Sequence, residues 1–139
     1  MKNNVIQYRS GYKYQIVEDY VVQLPELVNV PYCRSEYITL LNGELRIREG
    51  YAWDGPSGPT IDTRNFMRGS LVHDALYQLM RENHLDHDKY RDTCDRILQR
   101  ICIEDGMWQI RAWWVYQGVR FGAGPAADPI NDKPVLHAP

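Results

Sequence analysis

The chain has 139 residues, of which 44% are apolar, and its formal net charge is −2. This length and apolar share predict one domain with a real core, and the scattered basic residues are not typical of a nucleic-acid-binding surface. No apolar run approaches the ~20 residues that cross a bilayer, so no transmembrane segment is predicted, and residues 1–9 lack the apolar core of a signal peptide.

Residues 1–50 show the alternation and the turn signals of antiparallel β-structure. Apolar and polar residues alternate through residues 12–16, which is typical of a half-buried strand. Two further apolar runs flank Asn42-Gly43, the dipeptide that most strongly predicts a two-residue hairpin. We therefore expect an N-terminal antiparallel sheet of a few strands.

Residues 49–61 form the next segment, and their composition precludes regular structure. Three glycines and two prolines fall in this stretch: Gly50, Gly55, Gly58, Pro56 and Pro59. Such a loop presents backbone carbonyls and amides to a ligand where side chains would otherwise block the approach. Ser57 lies in this loop, but its Gly-Pro-Ser-Gly context lacks the strand-to-helix elbow of a nucleophilic serine.

Three helices are predicted after this loop. The first begins near Asp62-Thr63, either of which can cap it, and ends at about Glu82. Its apolar residues spread around most of the circumference, so it should be packed on several sides. The second covers about 87–104 and has a clean apolar stripe, and the third covers about 107–121.

The composition changes again after the third helix. That helix carries Trp108, Trp113 and Trp114, which we expect in the core or in an interface. Residues 123–139 are rich in proline, glycine and alanine and contain few large apolar groups, which predicts an extended, loosely held tail. Residues 1–122 should then form a single α+β domain.

The three cysteines, Cys33, Cys94 and Cys102, have neither metal-type nor redox-type spacing. On one helix, Cys94 and Cys102 would lie about 12 Å apart, which is too far for a disulfide. We therefore predict free thiols, with Cys94 and Cys102 as small core residues.

His73-Asp74, inside the apolar first helix, is the sharpest candidate for chemistry. Burying both groups costs several kcal/mol unless each is paired. The pair belongs either to a structural network with Tyr77, Asp95 and Arg91 or to a functional site. A metal-dependent phosphohydrolase with a His…His-Asp…Asp pattern is discarded, because it needs a histidine upstream of His73 and the chain has none.

The spacing across the first turn predicts a partner for His73. The turn between the first two helices centres near His84, and His73 and Asp95 lie eleven residues to either side of it. Residues equidistant from the turn of an antiparallel helix hairpin lie at the same height. We therefore predict a hydrogen bond of about 2.6–3.2 Å between the imidazole and Asp95. The hydroxyl of Tyr77 should bind Asp95 or a neighbouring loop group.

Two metal sites can be drawn from the residue types. Asp54 and Asp74 with carbonyls near Gly55 would offer only oxygen ligands, which suits Ca²⁺ and requires the two carboxylates to lie within about 5 Å of each other. A zinc site of His73, His84 and His87 is the alternative. His73 would lie about 16 Å along the helix from the turn, however, so one ion cannot use all three.

Four separated motifs resemble the domain-of-unknown-function 1353 family of bacteriophages and bacteria. They cover residues 50–59 (GYAWDGPSGP), 71–77 (LVHDALY), 94–97 (CDRI) and the pair 111–112 with 119–122 (RA and VRFG). The resemblance implies a viral or prophage origin, with the host cytoplasm or the virion as location. It implies no established activity.

His73-Asp74-x-x-Tyr77 is also similar to the active-site helix of phospholipase A2 enzymes. In those enzymes the histidine is general base to a water, and the neighbouring aspartate and a glycine-rich loop hold Ca²⁺. A second-helix aspartate orients the histidine, and the tyrosine binds that aspartate. The resemblance implies these roles for His73, Asp74, Asp95 and Tyr77. The disulfides of those enzymes are missing here, the loop glycines do not match closely, and an N-terminal sheet is added.

The expected architecture is α+β, an N-terminal antiparallel sheet followed by a three-helix unit. The expected function is that of a phage-type, Ca²⁺-assisted hydrolase acting on a lipid ester or another small ester. His73, Asp95 and Tyr77 would be its catalytic residues, and Asp54, Gly55 and Asp74 would hold the metal. The alternative is a non-enzymatic virion or assembly protein, with virion proteins as partners and a structural His/Asp/Tyr network.

Overall fold

The computed structural model of the chain describes residues 6, 8–9, 14–53 and 64–122, and the architecture is α+β as predicted. The strands are β1 (Tyr8–Arg9), β2 (Tyr14–Ile16), β3 (Tyr20–Gln23), β4 (Cys33–Arg34), β5 (Ile38–Leu41), β6 (Glu44–Ile47) and β7 (Ala52–Trp53). The helices are α1 (Arg64–Arg81), α2 (His87–Glu104) and α3 (Gln109–Gly122), and a short 3-10 helix spans Pro25–Leu27.

The larger sheet has the strand order β3-β6-β5-β4 and is antiparallel throughout. Its central hairpin joins β5 to β6 at Asn42-Gly43, where φ is 52° and 80°, so the predicted two-residue hairpin is confirmed. Glycine is required at the second position. A Cβ on Gly43 would lie 2.7 Å from the carbonyl oxygen of Leu24.

One face of this sheet contributes to the main core. Directly paired residues put apolar side chains on the same side, as Ile38 does with Ile47 and Leu40 with Leu45. All four are fully buried and belong to one cluster with the apolar residues of α1 and α2. The helices therefore lie against a rigid β-layer.

The smaller sheet, in the order β1-β2-β7, connects the β-layer to α1. Trp53 ends β7, packs its ring against Tyr14, and donates from Nε1 to Oγ of Ser70 at 3.0 Å. The hydroxyl of Ser70 in turn donates a hydrogen bond to the carbonyl of Met67 on α1. The prediction that residues 49–61 lack regular structure is wrong for Ala52–Trp53, because these two residues pair with β2. β7 is joined to the first helix through Trp53 and Ser70.

α1 and α2 form an antiparallel hairpin with a close crossing. A Cβ on Gly69 would lie 2.9 Å from Cδ1 of Leu98 and 3.0 Å from Sγ of Cys102, so a larger residue here would force these side chains to move. α2 is capped by Asp86, whose carboxylate accepts from the backbone amides of Asp88 and Lys89. α1 is buried on several sides, as predicted.

Arg68 is a buried residue that the sequence pattern does not reveal. Its side chain is 2% exposed and donates to the hydroxyl of Tyr20 at 3.0 Å, to Asp105 and to Glu104 at 2.9 Å. Since Tyr20 belongs to β3 and the two acids end α2, this guanidinium joins the sheet to both helices.

The observed bounds of α2 agree with the predicted 87–104, and the described ends of α1 and α3 differ from their predictions by one or two residues. α1 ends at Arg81 rather than Glu82, and α3 begins at Gln109 rather than 107. The three tryptophans are not core residues, since Trp108 is 81%, Trp113 47% and Trp114 64% exposed. Among the described helices none is long and apolar enough to cross a membrane.

All three cysteines are free and buried, as predicted. The predicted start of the first helix at Asp62-Thr63, the loop residues 54–61 and the tail 123–139 lie outside the described residues. The division into one domain and a tail therefore stays a prediction.

Candidate functional site

The site is built around a contact between α1 and α2. Nε2 of His73 lies 2.7 Å from Oδ1 of Asp95, within the predicted range. Asp95 is 0% exposed and His73 is 6% exposed. The two residues meet because they lie at equal heights on an antiparallel hairpin and both face the other helix. The predicted hydrogen bond is confirmed.

Tyr77 reaches the same carboxylate oxygen. Its hydroxyl donates to Oδ1 of Asp95 at 2.6 Å, and its ring lies 4.1 Å from that of His73, measured between centroids. The two rings are neighbours because they are one helical turn apart. Burial first, and the hydrogen bond to Asp95 next, raise the pKa of Tyr77 above its usual value, so the hydroxyl stays protonated as a donor.

These contacts assign the tautomer of His73. Asp95 is the acceptor for Tyr77, so the proton of a neutral His73 belongs on Nε2, which points at the same carboxylate. Nδ1 then carries the lone pair. Among the described residues this nitrogen has no hydrogen-bond partner. The ring of His73 is therefore held in one orientation, and the lone pair of Nδ1 has no hydrogen-bond donor among the described residues.

Arg120 of α3 is a member of the site that was missed in the sequence. Its NH1 donates to Oδ2 of Asp95 at 3.3 Å, and its Nε lies 3.6 Å from Oδ1 of Asp92. Arg120 belongs to the VRFG motif, but only the path of α3 shows which helix it faces. The buried carboxylate of Asp95 is thus compensated by a cation on one oxygen and by the hydrogen bonds from His73 and Tyr77 on the other.

Arg91 and Tyr116 extend this network toward solvent. Arg91 donates from NH2 to the carbonyl of Arg120 and lies beside the hydroxyl of Tyr77. Its Nε is buried and lacks a partner among the described residues. Tyr116 donates to Asp92, and this hydrogen bond is the main reason that the pKa of Asp92 is lowered.

The predicted Ca²⁺ site can be followed only in part. Asp54 and Gly55 lie outside the described residues, so the predicted approach of Asp54 to Asp74 stays a prediction. Asp74 is half-buried on α1, one residue after His73. Trp53, the residue before Asp54, is bonded to Ser70, which lies one helical turn before Asp74. Trp53 is therefore held near the helix turn that carries Asp74, and the Ca²⁺ site itself stays a prediction.

A second group of potential ligands lies at the start of α2. Ligand atoms of Asp86, His87 and Asp88 lie within 4.8 Å of one another. Asp86 already accepts two backbone amides as the helix cap, which accounts for its position. The zinc alternative is not supported, because His73 is held in the buried site by Asp95 whereas His84 is exposed in the turn.

Comparison with known proteins found no relative of this chain. No family model matches the chain, and no curated protein and no solved structure matches it. The resemblances to the domain-of-unknown-function 1353 family and to phospholipase A2 therefore stay predictions.

Proposed function

We propose that the protein is an ester hydrolase in which His73 is the general base to a water. The observation that carries the proposal is the 2.7 Å contact between Nε2 of His73 and the fully buried Asp95. This contact orients the ring and leaves Nδ1 as the base. A phage-type origin and a lipid ester as substrate are the parts of the proposal that depend on the two sequence resemblances.

The reaction would use these residues in sequence. Nδ1 of His73 takes a proton from water while the water oxygen forms a bond to the ester carbonyl carbon. Asp95 stabilises the imidazolium that results, and Tyr77 and Arg120 keep the carboxylate in place. When the tetrahedral intermediate collapses, the ester C–O bond breaks and the imidazolium returns its proton to the leaving alkoxide. A Ca²⁺ held by Asp74, Asp54 and the carbonyl of Gly55 would polarise the ester carbonyl.

The test is hydrolysis of a soluble short-chain phosphatidylcholine, with Ca²⁺ and then with EDTA, followed by titration of the released fatty acid. His73→Gln should lower the rate by about 10²–10⁴-fold, because it removes the base. His84→Gln is the matched control, since His84 is exposed in the turn and outside the site. Far-UV circular dichroism establishes that both variants are folded. Wild-type protein without hydrolytic activity, or a fully active His73→Gln variant, would contradict the proposal.

A specific observation also favours a second candidate function. Asp95 of α2 is bound by α1 through His73 and by α3 through Arg120, so the same network locks three helices together. A non-enzymatic virion or assembly protein would need this lock and nothing more. In that case Asp95→Asn lowers stability, and the wild-type protein hydrolyses neither phosphatidylcholine nor a simple aryl ester.

A further inference from the structure

α3 is apolar on two opposite faces. The inward face, with Ala112, Val115 and Tyr116, is buried against the other helices. The outward face exposes four large apolar side chains: Ile110 at 67%, Trp113 at 47%, Trp114 at 64% and Phe121 at 86%. Their spacings of three, four and seven residues put them on one side of the helix. A helix that is apolar all round is expected to be covered on both faces.

We propose that this outward face of α3, formed by Ile110, Trp113, Trp114 and Phe121, pairs with the same face of a second copy of the chain. The two helices run antiparallel across a two-fold axis. Each copy then presents the same patch to the other, which is the arrangement of most homodimers.

The area of the face matches what a dimer requires. A tryptophan or phenylalanine side chain has about 150–250 Å² to bury. At the observed exposures, the three aromatic side chains and Ile110 present roughly 350–600 Å². A standard interface uses about 800 Å² per partner, of which about two-thirds is apolar in homodimers. The ring centroids of Trp113 and Trp114 are 5.0 Å apart, edge to face, so the patch is continuous at its centre.

Gly118 provides a second, independent feature of this face. It is exposed inside a helix, where glycine is less stable than alanine, and an added Cβ would find no described atom within 4 Å. No described intramolecular contact therefore requires glycine at this position. Gly118 lies one turn from Trp114, and a missing side chain beside a bulky ring forms a notch into which a second Trp114 fits.

The charges of α3 favour a second copy over a lipid surface. Residues 107–122 contain Arg111 and Arg120 and no acidic residue, but Arg120 is turned inward to Asp95. Attraction to anionic lipid usually takes a cluster of about four to eight basic residues. With Arg111 as the other basic residue of the segment and a chain of net charge −2, electrostatic attraction to such a surface is weak.

The antiparallel arrangement also defines which residues meet. With Trp114 of one copy over Gly118 of the other, Phe121 lies beside Arg111, where a cation–π contact is possible. Gln117 is central on the outward face and falls next to the two-fold axis. Its two copies would then lie within the reach of a disulfide once replaced by cysteine.

The first test measures the mass of the full chain in solution by sedimentation equilibrium, from about 1 to about 100 µM, the range in which a moderate dimer dissociates. Trp114→Glu should raise the dimer Kd by on the order of 30-fold or more, as expected for a central hot spot. Gly118→Leu should also weaken the dimer while leaving the monomer helix intact. Tyr32→Glu is the control, because Tyr32 is 56% exposed outside α3.

The second test is oxidative cross-linking. Gln117→Cys should form a covalent dimer under mild oxidation. The three natural cysteines are buried and do not compete. Gln99→Cys on α2, which is partly exposed like Gln117, is the matched control and should stay monomeric in a denaturing gel.

A wild-type dimer that Trp114→Glu dissociates, together with the Gln117→Cys cross-link, supports the proposal. A monomer at every concentration overturns it, whether or not that monomer binds vesicles of anionic phospholipid. A dimer that survives Trp114→Glu also overturns it, because the interface would then lie elsewhere. A wild-type monomer that dimerises only after truncation at Gly122 would show that residues 123–139 cover the outward face of α3. That result would also overturn the proposal.

Discussion

At the residue scale, Asp95 determines how the site is held. One buried carboxylate accepts from His73 and Tyr77 on Oδ1 and from Arg120 on Oδ2. An ionised group that is fully buried is tolerated only when its lone pairs are used in this way. Each donor can therefore be tested by removing it, since the loss of one leaves part of the carboxylate uncompensated.

Tyr77→Phe removes a hydroxyl from the most completely buried part of the network. We expect a loss of roughly 0.5–1.5 kcal/mol in the free energy of unfolding, because one lone pair of Asp95 loses its partner. Urea titration measures the change. Tyr32→Phe is the control, since the ring of Tyr32 is exposed. Equal stability of the two variants would show that the 2.6 Å contact contributes nothing net.

Arg120→Gln tests how much the positive charge that α3 places beside Asp95 contributes to stability. The contact of Arg120 with Asp95 is long, at 3.3 Å, and its side chain is 32% exposed. We expect a loss of about 1–2 kcal/mol in the free energy of unfolding, smaller than for a fully buried ion pair. Arg96→Gln, on the exposed side of α2, is the control and should change stability less than Arg120→Gln does. If Arg120→Gln and Arg96→Gln have the same small effect on stability, Arg120 does not stabilise the contact between His73 and Asp95.

At the element scale, the α1–α2 crossing brings His73 and Asp95 together. Gly69 allows the helices to approach, and Asp86 starts α2 at the height that brings Asp95 opposite His73. The distance between the helices at one end of the crossing therefore affects the contact at the other.

Gly69→Ala tests this dependence. Alanine is the better helix former by about 1 kcal/mol, but its Cβ would lie 2.9 Å from Cδ1 of Leu98. Overpacking of this kind costs typically about 1–3 kcal/mol, so we expect a net loss of stability. Leu98→Ala creates a cavity and is destabilising by itself, but in that background, where the clash is gone, Gly69→Ala should cost less than it does in the wild type. A stabilised single variant, measured by thermal unfolding, would mean that the helices separate freely.

At the scale of the whole molecule, the smaller sheet is joined to the first helix by a side-chain hydrogen bond. Trp53 ends the last strand and is bonded to α1 at Ser70, so the sheet orients the segment that precedes Asp54. A ligand that bridges the loop and the helix would then tie the two layers of the fold together, and its binding should be visible in global stability.

Ca²⁺ should raise the melting temperature if Asp74 and the loop bind it. At about 100 times its Kd, a ligand of the native state adds about 2.7 kcal/mol, which corresponds to several degrees for a domain of this size. EDTA should reverse the shift and Asp74→Asn should remove it. Asp88→Asn is the control, because it alters only the exposed group at the start of α2. If Asp88→Asn abolishes the rise in melting temperature instead, Ca²⁺ binds at the group of Asp86, His87 and Asp88.

Much of the fold and the central contact of the site follow from the sequence, because they depend on local rules. Asn42-Gly43 determines the hairpin through its positive φ angles. The height of His73 and Asp95 follows from the constant rise of two helices joined by a short turn. These constraints act over a few residues or along one helix hairpin, so they can be read without knowing the rest of the chain.

Only the tertiary structure decides which side chains meet across separate layers. Arg68 is buried because β3 and the end of α2 converge on it, and Arg120 reaches Asp95 because α3 crosses α2 with that side inward. Helical period shows that α3 is apolar on two faces but not which face packs inward. That choice left Trp113 and Trp114 at the surface, and it depends on packing among all three helices, which no local pattern encodes.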